Sequence, residues 1–249
     1  MRKLLTFSAA LILGASMLCA QEYGTYNPAG RWYVSVQGGP MYQSNENAFA
    51  YRYKDVGSKL ITYNAGLSIG YNFDEIYGVR ATVEYGLNRS AGNYYESNKK
   101  FYPYEFKSVS AFADLIIDIN GLNAVDRAFA PKLYAGLGYG RSFGFSKPDG
   151  YGEPYQSSWQ GPLHPWQDNG DEMKYPSNNF GFRFGGIAEF DLKCGLGLFL
   201  DCALEAYTDW FNGLRPRISD EPATGNGTGI AGFPFDLRVP VQVGLLYRF

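Results

Sequence analysis

The chain has 249 residues, 45% of them hydrophobic and 17% aromatic, with 31 Gly, 21 Tyr and 18 Phe and a formal net charge of −2. This composition excludes collagen-like and disordered chains, and without a broad positive field a nucleic-acid partner is excluded as well. The length suits one domain, and many aromatics beside many glycines favour strands and tight turns over helices.

At the N-terminus Arg2 and Lys3 precede an apolar run from Leu4 to Leu18, and the small Ala20 stands before Gln21. This pattern reads as a secretory signal over residues 1–20, leaving 21–249 for the domain. Cys19 raises a lipoprotein reading, but Ser16, Met17 and Leu18 before it make a poor lipobox. Past the signal only Cys194 and Cys202 remain. Along one strand, at about 3.3 Å per residue, their spacing lies beyond disulfide reach, so two free thiols are expected. No later run has the roughly 18 apolar residues of a membrane helix, which leaves a membrane barrel open.

Eight segments alternate with period two. The first, 31–39, sets Trp32, Val34 and Val36 against Tyr33, Ser35 and Gln37; the second, 60–73, sets Ile61, Tyr63, Ala65, Leu67, Ile69 and Tyr71 against Thr62, Asn64, Gly66, Ser68, Gly70 and Asn72. In the third, Val79 to Leu87 alternate with Arg80, Thr82, Glu84 and Gly86; in the fourth, Val109 to Ile117 alternate with Ser108, Ser110, Asp114 and Asp118, and Phe112 and Ile116 interrupt the polar face. The fifth, 132–145, carries Leu133, Ala135, Leu137 and Tyr139 opposite Lys132, Tyr134 and three glycines. The sixth sets Phe182, Phe184, Ala188 and Phe190 against Arg183, Glu189 and Asp191, and the seventh sets Leu198, Leu200, Cys202 and Leu204 against Asp201, Ala203, Glu205 and Tyr207. The eighth alternates from Leu237 to Phe249, with Arg238, Pro240, Gln242, Gly244 and Arg248 on its second face.

The connections alternate too. Short links at 74–77, 120–131 and 193–196 separate longer ones at 40–58, 90–105, 146–178 and 211–235. The expected fold is therefore all-β: an eight-stranded antiparallel up-and-down transmembrane β-barrel with short periplasmic turns and long extracellular loops. A soluble lipocalin-like barrel would show the same period with the apolar face inward. Glycine placement decides between them. Gly66, Gly70, Gly136, Gly138, Gly140, Gly185 and Gly244 all fall on the polar face; on a solvated strand they would weaken the sheet, whereas in a narrow lumen they make room for large inward side chains. The apolar faces are almost free of charge. Arg141 is the main exception, at a loop end where a long side chain snorkels to headgroups. Trp32, Tyr71, Phe73, Tyr139, Phe143, Phe180, Trp210 and Tyr247 suit interfacial girdles.

The last segment, with Leu245, Tyr247 and the terminal aromatic Phe249, resembles the assembly signal of bacterial outer-membrane proteins. With the signal peptide and the strand count, the chain resembles the small OmpA/OmpX-like barrel family. The resemblance implies the outer membrane of a Gram-negative bacterium, outer-membrane lipids and lipopolysaccharide as surroundings, and the barrel-assembly machinery as a partner. Nothing matches the peptidoglycan-binding domain of longer OmpA relatives, so periplasmic anchoring is not carried over.

The inward faces offer Arg80, Lys132, Arg183, Arg238 and Arg248 against Glu84, Asp114, Asp118, Glu189, Asp191, Asp201 and Glu205. Opposite signs in one narrow lumen are expected to pair as a network, because an unpaired buried charge costs several kcal/mol; a proton or ion path is the alternative. The family includes lipid-modifying enzymes, but the single histidine, His164, lies in the longest loop, and the strand-borne His and Ser of a deacylase are not present. No catalytic residue, cofactor or metal is assigned. The same loop concentrates Tyr151, Tyr155, Trp159, Trp166 and Tyr175 among prolines. These rings are candidates to hold a glycan or a partner protein, or else to order the loop by packing on one another.

Overall fold

The computed structural model describes residues 30–44, 61–92, 102–122, 129–146, 177–193, 195–208, 211 and 235–249. The signal segment 1–20, Cys194, Trp210, His164 and the five loop aromatics lie outside them. Eight strands form in chain order: β1 (Arg31–Ser44), β2 (Ile61–Asn72), β3 (Tyr77–Gly92), β4 (Tyr102–Asp118), β5 (Phe129–Phe143), β6 (Ser177–Lys193), β7 (Leu196–Thr208) and β8 (Phe235–Arg248). One short helical turn, Ile119–Leu122, follows β4. Each strand pairs antiparallel with the next, and β8 pairs with β1, so the sheet closes on itself and leaves no edge. The strands run from 12 residues in β2 to 17 in β4 and β6. At about 3.4 Å per residue and a tilt near 40° this suffices to cross an apolar belt roughly 25 Å tall.

The period-two pattern becomes two surfaces. Outside stand Val34, Val36, Leu67, Val83, Leu115, Leu133, Leu137, Phe184 and Val243, all exposed, while the alternate positions are buried apart from a few half-buried glycines. The architecture is thus apolar without and polar within, the reverse of a lipocalin-like barrel. Of the girdle aromatics that are described, Trp32 packs at 5.0 Å from Tyr71, Tyr139 at 6.2 Å from Phe180 and Tyr247 at 6.1 Å from Phe249. Cys202 is a free thiol on the outer face.

The strand ends that flank 73–76, 119–128 and 194–195 lie at one end, the turn end, and those that flank 45–60, 93–101, 144–176 and 209–234 at the other, the loop end. In the first turn Asp74 Oδ1 accepts from the amides of Ile76 at 2.8 Å and Tyr77 at 2.6 Å; in the last, Gly195 takes φ 78°, which favours glycine. The long loop expected at 90–105 is corrected: β3 and β4 stay paired out to Gly92↔Tyr102, so only 93–101 joins them. The polar residues Asn88, Arg89, Ser90 and Glu105 continue the ladder past the apolar stretch, where periodicity of hydrophobic residues gives no signal.

The closing seam is tight. Between β1 and β8 the ladder steps from Gly38↔Val243 to Met41↔Pro240, and between β7 and β8 from Cys202↔Val241 to Glu205↔Arg238. Pro40 and Pro240 have no amide hydrogen to give it. Gly39 meets β8 so closely that an added Cβ would fall 2.0 Å from the Val241 carbonyl oxygen. Gly39→Val is therefore expected to block closure: the fast-migrating unboiled band of a folded barrel on a detergent gel should be lost, while the outer-wall control Val36→Ala keeps it. Retention of that band in Gly39→Val would show that the seam tolerates a side chain.

Candidate functional site

The inner face of β4 reads as a ruler through the lumen. From the turn end it presents Asp118, Ile116, Asp114, Phe112, Ser110, Ser108 and Phe106, each buried, and each marks a layer built with the opposite walls.

At the turn end, Lys132 of β5 sits between Asp118, at 3.5 Å, and Glu189 of β6, at 3.0 Å, and Arg248 of β8 also pairs with Glu189. Above this layer Ile116 belongs to an apolar cluster with Tyr33, Tyr134, Ile187, Phe199, Ala203 and Leu246. These side chains meet in the middle of the lumen and separate the lower charges from the next layer.

The central layer is organised by Asp114. Its Oδ2 accepts from Arg80 Nε at 2.8 Å and Arg183 Nη2 at 2.5 Å, and its Oδ1 accepts from Arg183 Nε at 2.6 Å. Arg80 also donates from Nη1 to Asp201 Oδ2 at 2.9 Å, and Tyr134 donates its hydroxyl to the other oxygen of Asp201 at 2.6 Å. Arg183 reaches on from Nη1 to Glu84 Oε1 at 3.0 Å and from Nη2 to Thr82 Oγ1 at 2.7 Å. Each guanidinium stacks on a ring, Arg80 at 4.4 Å from Tyr134 and Arg183 at 4.3 Å from Phe112. Bidentate geometry and a planar, weakly hydrated cation suit arginine, and lysine would not reproduce them.

Toward the loop end Arg238 donates to Glu205 Oε2 from Nε at 2.9 Å and Nη2 at 2.5 Å, and from Nη1 to Ser108 Oγ at 3.0 Å and Asn88 Oδ1 at 3.3 Å. Tyr207 donates its hydroxyl to Ser110 Oγ at 2.8 Å. An aromatic cap closes this layer: Tyr207 stacks on Phe211 at 3.9 Å, Phe211 meets Phe106 edge-on at 5.9 Å, and Phe106 stacks on Phe145 at 4.9 Å. Phe145 and Phe211 are 0% exposed. Gly144, at φ 63°, turns Phe145 inward, and the next residue is clipped to β4, with Ser146 N donating to the Glu105 carbonyl and Glu105 N donating to Ser146 Oγ, both at 2.8 Å.

The glycines make these layers fit. A Cβ at Gly136 would come within 2.1 Å of Asp114 Oδ1, at Gly138 within 2.3 Å of the Phe112 ring, and at Gly140 within 2.6 Å of Tyr207. The smallest residue therefore stands beside each of the larger groups it admits.

All the residues expected in the lumen are buried except Asp191, which is half-buried at the turn end of β6 beside a register shift. The expectation for Asp191 is corrected to that extent: it still pairs with Gly197 in the ladder, and the register shifts only between it and Lys193. The aromatic cap was not anticipated. Phe106 shares the parity of Ser108 and was readable, whereas Phe145 falls out of phase through Gly144 and Phe211 lies outside any strand. Leu245, Tyr247 and Phe249 all lie on the outer face of the last strand. Among the described residues no group of His, Cys, Asp and Glu is placed to hold a metal ion.

Removing one arginine would leave several carboxylates without their cation. Arg183→Leu is expected to cost about 3 to 5 kcal/mol, read as a lowered urea midpoint in lipid vesicles, whereas Arg31→Leu at the exposed turn end should stay within about 0.5 kcal/mol of the parent. Equal midpoints for the two variants would mean that the central layer does not stabilise the barrel.

No protein-family model matches the chain, and no curated protein matches it. Among solved structures it is similar to Neisserial surface protein A, at 12% identity over 88% of this chain and 97% of that one, with a TM-score of 0.49. It is also similar to Ail, the attachment invasion locus protein of Yersinia pestis, at 13% identity over 89% and 99%, with a TM-score of 0.44. OprG of Pseudomonas aeruginosa follows the same course at 10% identity over 90% and 98%, with a TM-score of 0.46.

Proposed function

We propose that the protein is a non-enzymatic outer-membrane barrel of a Gram-negative bacterium, with its lumen given over to stability and its function carried on its surface, by the loops that face outward. The observation that carries this reading is the filled lumen. Charged layers, an apolar cluster and an aromatic cap follow one another along β4, so an ion crossing the barrel would have to dismantle paired arginines. The cations meet carboxylates across the walls and serve closure, as an eight-stranded barrel just wide enough for its own side chains would require. The apolar outer wall supports a position in a membrane, with outer-membrane lipid around it. The alternating apolar Leu245 and Tyr247 and the aromatic Phe249 support the barrel-assembly machinery as a partner. Recognition then falls to the segment 146–178, where Tyr151, Tyr155, Trp159, Trp166 and Tyr175 supply flat amphipathic rings for a glycan or a partner protein.

Two measurements test this. In planar bilayers the reconstituted chain is expected to give no discrete conductance steps; regular steps would make it a channel. On a glycan array, replacing residues 148–175 by a short Gly/Ser linker should abolish binding while the heat-dependent gel shift persists. Binding that survives the replacement would remove the loop from the recognition role, and altered lipid A acylation in cells, lost in His164→Ala, would establish an enzyme instead.

A further inference from the structure

The outer wall breaks its apolar rule at one place. Toward the loop end the outward positions are Tyr63 on β2, Phe180 on β6 and Phe235 on β8, but on β3 to β5 they are Arg89, Glu105, Lys107 and Arg141. Among the described residues these are the only outward-facing charges at that end. Glu105 is already taken, since Arg89 Nε donates to its Oε1 at 3.1 Å and Arg89 Nη2 pairs with the same oxygen. Lys107 and Arg141 are left with no carboxylate among the described residues. The ladder makes them diagonal neighbours, because Lys107 pairs with Phe143 and Arg141 with Val109, which places their Cβ atoms about 7 to 8 Å apart. Two cations rooted on adjacent strands beside a low-dielectric surface can both reach one anion.

The wall below them has a matching shape. Continuing down β4 from Lys107, the outward residues are Val109, Ala111 and Ala113. Ala111 is flanked by Val83 and Tyr139, and Ala113 by Ala81 and Leu137; Val83 is 55% exposed, Tyr139 47% and Leu137 64%. The small side chains form a furrow about two strand spacings wide, roughly 10 Å, open to lipid and bordered by larger groups. It leads from the cations toward the middle of the belt, the course an acyl chain takes below its headgroup.

We propose that Lys107 and Arg141 form a seat for the phosphate of an outer-leaflet glycolipid, with one of its acyl chains lying in the furrow over Ala111 and Ala113. The Arg89–Glu105 pair borders the seat and leaves its net charge positive. This site lies on the wall and not in the loops, so it stands or falls apart from loop recognition.

The test uses the refolded chain in uncharged maltoside micelles, with bound lipid counted by native mass spectrometry. The probes are lipid A carrying its phosphates, the same lipid dephosphorylated, and inorganic phosphate as competitor. The phosphorylated form should bind more tightly than the dephosphorylated one, and the double variant Lys107→Gln/Arg141→Gln should weaken it about 25-fold, as expected for two cations each worth about fivefold at an anionic surface. Arg31→Gln, an outward cation at the turn end, should leave it unchanged. Ala111→Phe, which fills the furrow while sparing both cations, should weaken both lipids alike. All variants face outward, and the unboiled gel shift verifies that each has folded. Equal binding of the two lipids, or full affinity in the double variant, overturns the seat; full displacement by millimolar inorganic phosphate would assign it to the free ion and overturn the glycolipid.

Discussion

Asp114 is the point on which the interior turns. Its side chain is 0% exposed and receives three guanidinium nitrogens from two arginines. Those arginines enter from β3 and β6, strands that are not neighbours in the sheet, so a single carboxylate on β4 ties together walls that no backbone ladder connects. Arg80 then carries the tie to Asp201 on β7, and Arg183 carries it back to Glu84 on β3. A barrel closed only by ladders fixes which strands are adjacent; these cross-lumen ties fix its cross-section as well. They also explain the glycine beside Asp114, since any side chain at Gly136 would occupy the carboxylate's place.

The membrane makes this arrangement preferable to an apolar core. The wall must be hydrocarbon over the belt, and an apolar interior as well would give strands hydrophobic on both faces, with no alternation to set register or direction and a strong tendency to aggregate before insertion. A polar interior restores the alternation, and it leaves the chain 45% hydrophobic overall. The cost is that each buried charge needs its partner in place, which makes the interior intolerant of single losses and favours one closed state over partly formed ones.

Much of this was legible in the sequence because period two assigns a face to every strand residue once one face is known. Arg80, Asp114, Arg183 and Arg238 could be placed in the lumen from parity alone. Their partners could not, since Arg183 on β6 and Glu84 on β3 meet across the barrel and neither register nor spacing relates them. A phase reset hid another part: Gly144 reverses the face of Phe145. The β3–β4 extension was missed for a different reason. Past Leu87 the outward positions Arg89, Glu105 and Lys107 are charged, so the outer face loses the apolar residues whose alternation marks a strand.

Filling the lumen also shifts the question of function outward, and there the eight strands are not equivalent. A barrel solvated by lipid has no reason of stability to place cations on its wall, where a charge facing hydrocarbon costs about 2 to 4 kcal/mol at mid-depth and little only near the interface. Lys107 and Arg141 stand just past the apolar stretches of β4 and β5, at the height where that cost has faded, and on adjacent strands above the least bulky part of the wall. Random snorkelling would scatter such residues around the rim. Their clustering on β3 to β5, where among the described residues the one outward carboxylate is already engaged by Arg89, gives the wall a preferred side, so that neighbouring lipid is met by a site and not by a uniform surface.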